Sequence, residues 1–179
     1  TEYGFEIPTL SGPDEAAAWV DDRLEEGSDF IKIVYDDGSG YGRSIPTLDR
    51  ATLKAVIEAA HARDALAVVH IASQHEALEA LEAGADGLAH VFFDEAPSTE
   101  FVEAMRSRGA FVTETLGALF ALCDGTRGST LIEDPRVGAW LSPPDQRALR
   151  RTVAGPDRDS AGATRCEHAL QVTRLLHEA

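Results

Sequence analysis

Three polar residues interrupt runs that are otherwise apolar: Lys32 in DFIKIVY, His70 in ALAVVHI and His90 in DGLAHVF. Each run is short, β-branched or aromatic, and reads as a strand. Strands covered on both faces should be Val, Ile and Leu throughout. A bare ammonium in such surroundings is costly, so Lys32 must be neutralised, paired or chemically modified. Both histidines stand near the C-terminal ends of their strands, where α/β folds place their sites. Two neutral imidazoles converging there suit a metal ion. A desolvated lysine beside them can take up carbon dioxide as a carbamate, an anionic bidentate ligand able to bridge two cations. Against this stand two plainer readings. A strand histidine is often a hydrogen-bonded core residue, and a strand lysine often lies at an edge or in an ion pair. Three such residues on successive units, at comparable depth, make a shared site the reading to test.

The elements that must position them alternate. Residues 14–26 read as a helix ended by Gly27, 29–35 as a strand, and 36–46 (DDGSGYGRSIP) as a loop. A helix over 48–63 carries Leu53, Val56, Ile57 and Ala60 at helical spacing. A strand over 65–71 follows, then a helix opened by a Ser73/Glu76 capping box and closed by Gly84. Residues 86–92 form a third strand, 98–108 a helix before Gly109, and 110–115 a fourth strand. The alternation implies a parallel sheet with crossover helices, in an α/β fold that is either an open doubly wound sheet or part of a TIM-like (βα)8 barrel. Beyond Leu116 the pattern dissolves: 116–123 reads as a short helix, 124–144 is rich in Gly, Asp and Pro, and 145–153 and 160–178 read as helices around GPDRDS. The whole chain, 1–179, is one partial barrel domain, with βα units over about 14–123 and a helical segment over about 124–179.

Charge narrows the partners. The 179 residues carry a net charge of −15, and all of the imbalance lies in residues 1–100, where 21 acids face 6 bases. Nucleic acid and anionic membrane surfaces are excluded as partners by that balance. No apolar run approaches the roughly 20 residues of a membrane span, no signal peptide is evident, and a cytoplasmic location is expected. A homo-oligomer is compatible with the sequence. Cys123 and Cys166 have no CxxC spacing and read as idle or buried thiols. Lys32 and Lys54 are the only lysines. His61, His168 and His177 lie in helices among charged residues and read as solvated, while His75 opens a helix and is at best a neighbour of the site.

The segments DFIKIVYDDG, AVVHIASQHEALEALEAGADGLAHVF and FVTETL resemble the central barrel strands of the amidohydrolase superfamily, nearest to its imidazolonepropionase-like and prolidase-like metal hydrolases. The resemblance implies a carboxylated Lys32 on strand 4 bridging two divalent ions, usually zinc, with His70 and His90 as the strand-5 and strand-6 ligands. It implies hydrolysis of a C–N bond in a small or cyclic amide through a metal-activated water. The family's first-strand His-x-His pair and strand-8 aspartate have no counterpart here. The chain is therefore expected to be an interior fragment holding strands 4 to 7, with its catalytic base unassigned and no turnover when isolated. Ala72 stands where some prolidase-like members carry a tyrosine that holds a substrate carboxylate. Tyr41 and Arg43, in the loop after the first strand, are the candidates for substrate contact. Thr113 and Thr115 could line the pocket. The alternatives are a barrel that binds a phosphorylated ligand, for which FVTETLGALF offers no glycine-rich cradle, and a non-catalytic scaffold.

Overall fold

The computed structural model describes residues 8–117, 119, 127–150 and 160–178. Four strands, β1 (Ile31–Val34), β2 (Ala67–His70), β3 (Gly87–Ala89) and β4 (Phe111–Thr113), form one parallel sheet in the order β1-β2-β3-β4. Helices α1 (Ala16–Glu25), α2 (Arg50–His61), α3 (Gln74–Ala83) and α4 (Thr99–Arg108) alternate with them. The chain is part of a TIM-like barrel: βα units in chain order, with the helices on one side only. Every expected strand is present but shorter than the apolar run that announced it, because pairing stops where the run leaves the sheet.

Beyond β4 lie α5 (Arg127–Glu133), a 3₁₀ turn at Gly138–Trp140, α6 (Pro143–Arg150) and α7 (Ser160–Glu178). Two of these, α5 and the 3₁₀ turn, fall in the segment 124–144 that showed no pattern. The expected helix over 116–123 and the end of that over 145–153 lie partly outside the described residues, as does most of GPDRDS, while the helix expected over 160–178 is present with those bounds. Among the described residues no helix is long and apolar enough to cross a membrane.

The core lies between the helices and one face of the sheet. Leu53, Val56, Ile57 and Ala60 of α2 are fully buried against Ile31, Ile33, Ala67 and Val69. Each of the larger side chains contributes roughly 1.5–3 kcal/mol by leaving water. Asp49 starts α2 by accepting the Thr52 N–H at 2.7 Å, and Ser73 and Glu76 form the expected capping box on α3. Two readings require correction. Cys166 is disulfide-bonded and not an idle thiol, while Cys123 lies outside the described residues. His61 is held by Asp86, Nε2 to Oδ2 at 2.9 Å, and His168 Nδ1 meets the Phe93 carbonyl at 3.2 Å; neither is merely solvated.

Among the described residues little covers the other face of the sheet. Val34 is 53% exposed and Phe111 45% exposed on it, and Lys32, on the same strand as Val34, is exposed as well. Lys32 is therefore not desolvated within these residues, contrary to the reading of its strand as covered on both faces. The alternation Ile31-Lys32-Ile33-Val34 is buried, exposed, buried, exposed, which is the signature of a strand with one open face.

Gly40 marks the closest approach of the loop after β1 to the end of β2, since a Cβ there would stand 2.6 Å from the Ala72 carbonyl oxygen. Backbone cannot yield as a side-chain tip can. Gly40→Ala should cost about 1–3 kcal/mol in urea unfolding. Gly12→Ala, where a Cβ meets nothing within 4 Å, should change stability by less than about 0.5 kcal/mol.

Candidate functional site

In-register neighbours of a parallel sheet point the same way. The pairs Lys32↔Val68 and Val34↔His70 therefore put Lys32 and His70 on the same, open face, with Lys32 one pleat deeper. The three residues are thus not at one depth, as their sequence positions suggested. His90 reaches the site differently. Ala89 pairs with His70, so strict alternation would send the next side chain toward the helices. His90 instead takes a left-handed backbone, φ +82°, while its N–H still bonds the Thr113 carbonyl at 2.9 Å. That turn brings its ring edge-to-face onto His70, with centroids 4.6 Å apart and planes at 82°.

Each ring has one nitrogen already engaged. His90 Nδ1 lies 2.6 Å from Thr115 Oγ1, so Thr115 touches the histidine, while Thr113 lies exposed on the same face. His70 Nε2 stands 3.4 Å from Asp36 Oδ2. Burial holds the His70 pKa below the usual imidazole value, against the pull of Asp36 and with help from the Lys32 charge. Burial, then His70, then Lys32 push His90 down to about 4. Both rings are neutral at pH 7, the form that ligates metals. Two neutral imidazoles brought together in this way form a donor set that fits a divalent ion. His75 lies outside it, paired with Glu79 at 3.2 Å.

Asp36, Asp37 and Glu76 are the acidic residues that sequence reasoning passed over. Their carboxylates lie within 4.8 Å of one another, yet most of their oxygens are already used by backbone amides. Glu76 Oε1 accepts from Asp37 N–H at 2.7 Å, and Oε2 accepts from Ala72 and Ser73 at 2.8 and 2.9 Å. Asp36 Oδ1 accepts from Gly38 N–H and Asp37 Oδ1 from Ser39 N–H, each at 2.8 Å. Burial raises the Glu76 pKa and the three amides oppose the rise. The signal for Glu76 was present as a capping box; its reach to the loop after β1 was not.

That loop arches over the exit of β2. Tyr41 packs edge-on against Phe93, 5.1 Å between centroids, and Arg43 is exposed. A cavity of about 430 Å³ lies elsewhere, beside β4 between Met105, Val112 and Leu176. The histidines sit on an open face and not in an enclosed pocket.

No family model matches the sequence, and no curated protein does. Solved structures do resemble the fold. A Xaa-Pro dipeptidase with bound methionine in its active site superposes with TM-score 0.60 at 21% identity, over 97% of this chain and 39% of its own. A prolidase complexed with N-methylphosphonate-L-proline gives 0.60 at 16%, over 94% and 36%. The ochratoxinase of A. niger gives 0.58 at 16%, over 95% and 37%. The chain spans less than two fifths of each of these structures.

Two expectations follow. His90 in the metal-free protein should titrate near pH 4 by NMR, against about 6.5 in the unfolded chain. Between those values the unfolded state binds the extra proton. This contribution to stability is therefore present above pH 6.5 and lost as pH falls toward 4. Separately, Glu76→Gln keeps the shape but offers one acceptor oxygen for three amides. It should cost about 1–3 kcal/mol and speed hydrogen exchange at Asp37 and Ala72.

Proposed function

We propose that β1 to β4 are strands 4 to 7 of a metal-dependent hydrolase barrel of the amidohydrolase superfamily, acting on a C–N bond of a small or cyclic amide. The observation that carries the reading is the pair of neutral imidazoles from successive strands, 4.6 Å apart, on the face that also bears Lys32. The barrel fold shared with prolidase and amidohydrolase structures supports it.

In this reading His70 and His90 hold the metal through their unengaged nitrogens. Lys32 lies on the preceding strand, exposed and one pleat deeper. Its amine would add to carbon dioxide with loss of a proton, and the resulting carbamate would supply an anionic ligand for divalent ions, zinc by preference. The bound metal supplies Lewis acidity toward a carbonyl and toward water. Arg43, exposed in the loop after β1, would contact the substrate, and Tyr41 would shape the rim from its seat on Phe93. None of the residues described here takes the part of the base. The substrate is a small-molecule amide, and a homo-oligomer is compatible with this reading.

Zinc titration by calorimetry in bicarbonate tests this directly. The chain should bind zinc weakly, His70→Ala or His90→Ala should abolish binding, and Lys32→Arg should remove any second ion because a guanidinium forms no carbamate. Unchanged zinc uptake in all three variants would sink the reading. Thermal stabilisation by inorganic phosphate without any by zinc would favour a barrel that binds phosphorylated ligands.

A further inference from the structure

The loop after β1 contributes more to the candidate site than its exposed tip. Asp36 is the second residue beyond the strand that carries Lys32, and hydrogen bonds hold its backbone, its carboxylate and the residue that follows. Its own N–H donates to Thr47 Oγ1 at 3.1 Å, its Oδ1 accepts the Gly38 N–H at 2.8 Å, and the next residue's N–H is held by buried Glu76. Gly38 permits the turn, with φ +81° and a site where a Cβ would stand 2.8 Å from Ile45 Cγ1. The remaining oxygen, Oδ2, faces His70 Nε2 at 3.4 Å, on a side chain only 12% exposed.

We infer that Asp36 is a positioning residue for His70: it holds the proton on Nε2 and so turns Nδ1 toward the shared face. This deepens the metal-site reading above and rests on it for what Nδ1 then binds. The physical cause is ordinary. A carboxylate that can only accept selects the tautomer whose N–H points at it. Across the site Thr115 engages His90 at the opposite nitrogen, Nδ1. The two rings thus offer different atoms, Nδ1 of His70 and Nε2 of His90, to the space between them.

Asp36→Asn is the discriminating variant, because its amide oxygen can still accept the Gly38 N–H and keep the turn. Long-range proton–nitrogen NMR on the metal-free protein should show His70 with its proton on Nε2, and a mixture of tautomers in Asp36→Asn. Zinc affinity should fall 10–100-fold, the usual effect of removing such a partner. Asp37→Asn, in the same loop but without contact to His70, should leave both readouts unchanged. An unaltered tautomer in Asp36→Asn would overturn the inference, as would an equal loss of affinity in Asp37→Asn. A tautomer shift in a protein that binds no zinc would sustain the role of Asp36 and sink the metal reading instead.

Discussion

The Glu76 carboxylate is the constraint on which the site geometry depends. Removing a charge from water costs several kcal/mol even after relaxation, and hydrogen bonds to a charged group return about 1.5–3 kcal/mol each. Three backbone amides oppose that cost without cancelling it, since burial still raises the Glu76 pKa. Those amides come from two places in the chain, Ala72 and Ser73 after β2 and Asp37 after β1. One side chain thus binds the exits of adjacent strands at a fixed separation. Its place in the first turn of α3 adds the favourable field of the helix N-terminus. Asp36, the seat of Gly40 on Ala72 and the direction of His70 all follow from that clamp.

Much of the fold was legible because it rests on local pattern. The α2 stripe of Leu53, Val56, Ile57 and Ala60 is buried as its period requires, and capping at Ser73 and the glycine stops fall where expected. What escaped depends on facts outside any window of sequence. Lys32 is exposed because nothing described covers its face, although its strand already alternated. His90 joins His70 through a positive φ that composition does not announce, since non-glycine residues adopt one only uncommonly. Asp36 looked like loop polarity, and Glu76 looked like a cap; only the fold reveals that each spans two elements. Cys166 was misread because its partner is distant in sequence, so spacing carried no signal.

The open face also has its own internal order. Its lower row runs Lys32, Val68, Gly87, Phe111 and its upper row Val34, His70, Ala89, Thr113. Gly87 is small because the Phe111 ring lies across it, 2.4 Å from where a Cβ would be. A small residue on β3, Gly87 below and Ala89 above, thus makes room for its larger neighbours in each row. Beneath the histidines lies an apolar floor, and Lys32 is its single charge.

Spatial order in this sheet equals chain order, so each strand needs only its predecessor as a template. A polypeptide leaving the ribosome could add β2 to β1, then β3, then β4, without waiting for any later segment. The exception is α7, whose Ala169 and Val172 enter the same core and whose His168 reaches back 75 positions to Phe93. Assembly would then be vectorial along these four strands, with α7 joining them afterwards. Until it docks, the side of the core that Ala169 and Val172 enter faces water, and that is the surface a chaperone has to shield.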